Sequence, residues 1–208
     1  MNLQTPKPPC CDSAAQRSEL NNTLTEYPLI TRVLSDQNLD QAWRHVKANK
    51  GCPGIDNMSI DDFESFANEH WQGLKEKLIT GSYQPLPVKR VRIPKPDGGE
   101  RLLGIPTVID RLIQQAIAQV ISPFFEPYFS PHSYGYRPGK RASQAVHHVK
   151  TCIKQGHKTA VDIDLSKFFD EVNHDMLMNR IGRKIKDKQL MQLLGKYLRA
   201  GIAEVETG

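Results

Sequence analysis

Cysteine is scarce in this chain: Cys10, Cys11, Cys52 and Cys152 are the only four among 208 residues, with no paired zinc-ligand spacing. Scattered thiols fit a reducing compartment, so the expected location is cytoplasmic. No run is apolar and long enough to span a bilayer, and no secretory h-region stands near the start. A membrane partner is therefore not expected. Acid is missing from one long stretch, since His132 to Lys158 contains no Asp or Glu. With a net charge of +5 and a pI near 9.0, the balance favours a polyanionic partner. Residues 89–101 are also basic, and Arg183, Lys184 and Lys186 cluster further on. Such stripes would release counterions on RNA and make affinity fall with salt. The last cluster fits a solvated helix face equally well.

What is present begins with Thr159 to Leu165, where apolar and acidic residues alternate. That period predicts a strand with Val161, Ile163 and Leu165 on one face and Asp162 and Asp164 on the other. Like charges side by side are costly unless water or a cation neutralises them. Their hard oxygens suit Mg²⁺, with substrate phosphates completing the shell. A strand edge with acids facing solvent is the plainer reading. A phosphodiesterase using both acids is a third, but no His or further acid lies at a supporting distance in sequence. Phe168 and Phe169 follow directly, and Asn173 opens a helical pattern of Met176, Leu177, Ile181 and Ile185.

Two further segments carry chemistry. In residues 88–106, Asp97-Gly98 between apolar runs predicts a hairpin. Folded so, Lys95 and Arg101 meet beside the turn, where two cations could clamp a triphosphate. A solvated basic edge strand is the alternative. Residues 124–141 interleave aromatics with cations, which suits nucleic acid because bases stack on rings while Arg and Lys meet phosphates. Tyr134 and Phe124 are read as packing residues. Upstream, Asn49 to Asp56 reads as a helix stop, with Gly51 as C-cap and Pro53-Gly54 central to a type II turn. Ser59 to Asp62 reads as a capping box.

The run Asp164-Leu165-Ser166-Lys167-Phe168-Phe169-Asp170, with His174 four residues on, resembles motif A of reverse transcriptases. The likeness is to the group II intron-encoded type, also called maturases. It extends to the Lys95/Arg101 hairpin, to Ser133-Tyr134-Gly135-Tyr136-Arg137-Pro138, and to Lys50-Gly51-Cys52-Pro53-Gly54-Ile55-Asp56. The family usually has Gly where Asn57 stands. Four motifs in order, over about Leu39 to Gly208, are far more specific than any one alone.

The resemblance implies an RNA-directed DNA polymerase using Mg²⁺, an RNA template (the group II intron RNA), a DNA primer and dNTPs. Asp164 would be the catalytic metal-binding acid, with the Leu165 carbonyl as second ligand. Phe169 would stack under the incoming sugar and exclude a 2′-OH. Lys95 and Arg101 would hold the nucleotide, and Lys89, Arg90, Arg92, Tyr136 and Arg137 the RNA. Asp162 is placed behind Asp164 as a ligand. The expected fold is α+β: helical fingers with a basic hairpin, then an incomplete palm sheet. The expected divisions are a disordered extension at 1–28, fingers at 29–142 and partial palm at 143–208. Helices are expected near Leu39–Ala48, Ser59–Ile79, Thr107–Ser122, Ser143–Gln155, Asp175–Ile185 and Lys188–Ala200. Strands are expected near Val88–Ile93, Arg101–Ile105, Thr159–Leu165 and Ile202–Glu206. Neither a Pro-Gln-Gly nor a Tyr-x-Asp-Asp motif occurs in residues 1–208. Two-metal nucleotidyl transfer needs carboxylates from both the Asp164 strand and the Tyr-x-Asp-Asp hairpin. Residues 1–208 alone are therefore expected not to extend a primer without a complementing C-terminal half. A non-catalytic RNA-binding maturase fragment or gene remnant is the alternative function.

Overall fold

The computed structural model describes residues 28–94, 96, 98–165 and 168–204. The expected N-terminal extension falls outside these, apart from Pro28. The architecture is α+β, mostly helical with one small sheet. Helices α1 (Leu29–Val33), α2 (Asp36–Ala48) and α3 (Ile60–Ile79) come first. Strands β1 (Val88–Pro94) and β2 (Glu100–Ile105) follow, then α4 (Val108–Phe125) and a 3₁₀ turn at Glu126–Tyr128. The rest is α5 (Ala142–Lys154), α6 (His174–Gly182), α7 (Lys188–Arg199) and β3 (Ile202–Glu204).

The core follows from apolar spacing on α4. Val108, Leu112, Ile113, Ala116, Ile117 and Val120 fall at three- and four-residue steps and are all buried. They meet Leu29, Ile30 and Val33 of α1, Leu39, Ala42 and Val46 of α2, and Phe63, Leu74 and Leu78 of α3. Leu190 and Leu193 of α7 join the same core, so the helical body draws chain from both sides of residue 142. Asp187 makes that possible. Its carboxylate accepts from Leu190 N at 2.9 Å, capping α7, and from Ile30 N at 2.9 Å, capping α1. On the other side, Lys196 Nζ donates to the carbonyls of Gly81 and Tyr83 at 2.7 and 2.8 Å.

Asp110 is the polar centre of the body, 1 % exposed. It accepts from Tyr83 Oη at 2.6 Å, Thr107 Oγ1 at 2.9 Å and Leu86 N at 3.3 Å. A buried carboxylate is tolerable only when served in this way. These bonds fix the segment leading into β1, and so aim the sheet. Tyr197 lies within electrostatic reach of Tyr83 and Asp110, yet its buried hydroxyl completes no well-formed hydrogen bond. Burial first, then the Asp110 charge, raises Tyr83 well above the usual phenol range. Burial first, then the neighbouring Tyr83, does the same for Tyr197.

The sheet order is β2-β1-β3. β1 and β2 pair antiparallel, with Val91 opposite Leu103 and Ile93 opposite Arg101. β1 and β3 pair parallel, with Val88 opposite Ile202 and Arg90 opposite Glu204.

Several local expectations are corrected. Thr159–Leu165 is extended chain without a sheet partner, so it is not a strand among the described residues. Alternation supplies a face, but a strand also needs a ladder. The left-handed residue after α2 is Lys50 (φ 45°), not Gly51. At Gly51 a Cβ would lie 2.1 Å from Arg111 Nη1, so a larger residue there would displace the end of that guanidinium. The turn runs from Gly54 to Asn57, closed by Asn57 N to Gly54 O at 3.3 Å, with Asn57 at φ 58°. Gly54 lacks the positive φ of a type II turn, but its Cβ would come 2.7 Å from the Thr107 backbone. α4 runs three residues past Ser122, through Pro123, because a proline in the last turn forfeits only one late hydrogen bond. α6 stops at Gly182 instead of Ile185. The capping box at Ser59 and Asp62 forms as expected, with Ser59 Oγ accepting from Asp62 N at 3.2 Å.

Candidate nucleic-acid and nucleotide site

Strand pleating distributes the cations of the hairpin. Directly opposed residues share a face. Lys89, Val91 and Ile93 therefore lie with Arg101, Leu103 and Ile105, while Arg90 and Arg92 lie with Glu100 and Leu102. The expectation grouped Lys89, Arg90 and Arg92 on one template path. The period of two instead puts Lys89 on the face of Arg101. Arg90 Nη1 meets Glu204 Oε1 at 2.9 Å, tying β1 to β3, and Arg92 Nη1 meets Glu100 Oε2 at 3.2 Å. Both Arg90 and Arg92 carry an acid partner that RNA would have to displace. Arg101 is exposed. Lys95 and Asp97 lie outside the described residues.

The loop between the 3₁₀ turn and α5 is built around Arg137. Its Nε donates to Glu126 Oε1 at 2.8 Å and its Nη2 to the same oxygen at 2.6 Å. Nη1 donates to the carbonyls of Ser130 and Ser133. The Arg137 side chain is 10 % exposed. In this geometry its donors are engaged within the loop and do not reach outward, contrary to the RNA contact expected of it. The neighbouring Tyr136 is the opposite case. It is fully exposed, at φ 54°, a left-handed conformation that is strained for an aromatic residue. Arg137 and Gly139 (φ 70°) hold the chain on its far side. An exposed ring on a fixed backbone is a stacking platform.

The acidic segment is open. Val161, Ile163 and Leu165 are 80, 82 and 64 % exposed, and Phe169 is 85 % exposed. Phe168 and Phe169 meet edge-on, with ring centres 5.4 Å apart. Asp164 Oδ1 accepts from the next backbone amide, Leu165 N, at 2.9 Å. Carboxylate and carbonyl oxygens are the donors a hard cation takes. Among the described residues, however, no three His, Cys, Asp or Glu side chains gather closely enough to hold an ion. Asp164 and Leu165 do not make a metal centre by themselves. Ser166 and Lys167 lie outside the described residues.

A cavity of about 430 Å³ sits elsewhere, between α1, α2 and α4, and is lined by Arg32, Ser35, Asn38 and Gln119 among others. Gln119 Nε2 donates to Asn38 Oδ1 at 2.8 Å, and Asn38 Nδ2 to the carbonyls of Val33 and Ala116. Its amides are turned inward to tie three helices together. The roles of Asp110, Asp187 and Glu126 were not found from sequence: Asp110 and Asp187 have a local partner three residues away, but Tyr83, Leu86, Ile30 and Arg137 come from elsewhere in the chain. Asp187 comes nearest, as an Asp immediately before a helical pattern. No helix among the described residues is long and apolar enough to cross a membrane.

Comparison with known proteins meets this geometry. Residues 93–206 match the family described as reverse transcriptase (RNA-dependent DNA polymerase), whose members use divalent metal ions. The chain is 35 % identical over 183 residues to Protein YkfC of Escherichia coli K12, covering 85 % of this chain and 48 % of that one. It is 34 % identical over 164 residues to the group II intron-encoded protein LtrA of Lactococcus lactis, covering 78 and 27 %. It is 32 % identical over 188 residues to the putative COX1/OXI3 intron 2 protein of Saccharomyces cerevisiae, covering 88 and 21 %. The chain thus spans about half the length of the first relative and less than a third of the other two. With more than half its residues matched, β2 of the hairpin and the acidic segment among them, the chain belongs to the reverse transcriptase family and within it is similar to the group II intron-encoded type.

Proposed function

We propose that this chain supplies the template- and nucleotide-facing part of a group II intron-type reverse transcriptase, synthesising DNA on intron RNA. The match over residues 93–206, spanning the hairpin turn with β2, the aromatic loop and the acidic segment, carries this reading. Residues 29–142 correspond to fingers and 143–208 to part of a palm. Lys89, Arg90 and Arg92 meet template phosphates from the two faces of the hairpin, and Tyr136 stacks on a base. Arg101 with Lys95 holds the triphosphate of the dNTP, and Phe169 lies beneath its sugar. Asp164, with the Leu165 carbonyl, contributes one share of a Mg²⁺ site whose remaining carboxylates come from outside residues 1–208. Arg137 serves as the positioning residue for Tyr136.

Fluorescence anisotropy with a short labelled RNA tests the binding half. Affinity is expected to fall with salt, and Tyr136→Ala to weaken it by about 1–3 kcal/mol. Asp164→Ala is expected to leave affinity unchanged or slightly better, since it removes a negative charge. RNA binding that is indifferent to salt and to Tyr136 would end the proposal. The second reading is an RNA-binding piece without polymerase activity of its own. Metal-dependent primer extension by residues 1–208 alone would exclude that second reading.

A further inference from the structure

The aromatic loop and α5 meet at three polar side chains that the polymerase reading leaves unused. His132 Nδ1 lies 3.2 Å from His148 Nδ1, with ring centres 4.4 Å apart. Tyr134 Oη lies 3.0 Å from the same His148 Nδ1. As a set of hydrogen bonds this is over-subscribed. An imidazole nitrogen offers one in-plane proton or one lone pair, never both. His148 Nδ1 can serve His132 or Tyr134 well, but not the two together.

A metal ion removes the conflict. Two nitrogens bound at about 2.0–2.1 Å to a tetrahedral ion stand about 3.3 Å apart. The observed 3.2 Å between the nitrogens is close to that edge, the phenol oxygen stands 3.0 Å from one of them, and a small turn of the rings would aim both nitrogens at one ion. The surroundings select the kind of ion. No acid occurs from His132 to Lys158, and Lys140 Nζ sits 5.2 Å from the Tyr134 ring centre. A hard cation such as Mg²⁺ finds no carboxylate here, whereas imidazole suits borderline ions of the Zn²⁺ class. We propose that His132, His148 and Tyr134 form a binding site for a divalent transition-metal ion of that class, water taking the fourth position. Bound there, the ion would join two loop residues to the middle of α5 and so fix the segment that displays Tyr136.

The test uses the whole chain, with Co²⁺ as a spectroscopic probe and Zn²⁺ as competitor. One Co²⁺ per chain is expected, with the intense visible bands of tetrahedral coordination, displaced by one Zn²⁺. His132→Gln, at an exposed position, and His148→Gln, at a half-buried one, should each weaken Zn²⁺ binding at least 10-fold. Tyr134→Phe should weaken it several-fold, and His147→Gln should change nothing. Absence of stoichiometric binding would leave only a hydrogen-bonded cluster and overturn the proposal. Stoichiometric binding unaltered in both His132→Gln and His148→Gln would place the ion elsewhere, on cysteines for example, and overturn it equally.

Discussion

Helices α4 and α5 both carry an apolar stripe, and they end in opposite circumstances. On α4 the stripe is buried from Val108 to Val120. On α5 no residue is buried, and Val146, Val149 and Ile153 are 54, 59 and 62 % exposed. Residues 161–165 repeat the lesson for a strand pattern, with alternating apolar side chains open to solvent. Periodicity states which face wants cover, but it does not state whether the cover is at hand. The helical body has its partners within the described residues. The segment bearing Asp162, Asp164 and the Phe168-Phe169 pair does not.

That contrast can be broken or sharpened by measurement. Ile113→Ala, at the fully buried centre of α4, should cost about 3–5 kcal/mol in urea unfolding, through lost transfer energy and a residual cavity. Asp110→Ala should cost about 2–4 kcal/mol by the same assay, because Tyr83, Thr107 and Leu86 are left with unserved donors. Ser59→Ala should cost about 1 kcal/mol, the usual worth of an N-cap, read as a lower melting temperature.

Alkaline titration should separate the two regions further. Burial holds Tyr83 and Tyr197 protonated in the fold above the ordinary phenol range, whereas unfolded tyrosines ionise near pH 10. Their stabilisation is complete below about pH 10 and declines as the pH rises beyond it, because the folded state then binds more protons. Tyr197→Phe removes an unserved hydroxyl, so it should be neutral or slightly stabilising at pH 7 and flatten the alkaline decline. The smallest effect belongs to α5. Val149→Ala should stay within about 0.5 kcal/mol of wild type. A loss as large as that of Ile113→Ala would mean that α5 is packed after all and would cancel the comparison.

Much of the helical body was legible in the sequence because its signals are local. Ser59 and Asp62 sit three residues apart and cap as read, and the α4 stripe faces the core as its spacing requires. The candidate site was legible in its residues but less so in their directions. Arg137 looked like a phosphate contact, and only the fold brings Glu126 and two carbonyls to it. The split of Lys89 from Arg90 and Arg92 was available from strand period alone. The pairing of Arg90 with Glu204 was not, since 114 residues separate them. Likewise, the left-handed position after α2 falls on Lys50, one residue before the glycine that local sequence favours for it.

Asp187 has a consequence for the order in which the molecule assembles. One carboxylate closes the start of α1 across 157 residues, so the first helix cannot reach its final seat until that distant aspartate has been made. On the ribosome, Leu29, Ile30 and Val33 would emerge well before Asp187, with only α2, α3 and α4 able to cover them in the interval. Closing so long a loop is slow relative to forming neighbouring helices. A helix made so long before its capping residue would be slow to lock in place, which makes it a natural place for a chaperone to hold the nascent polypeptide.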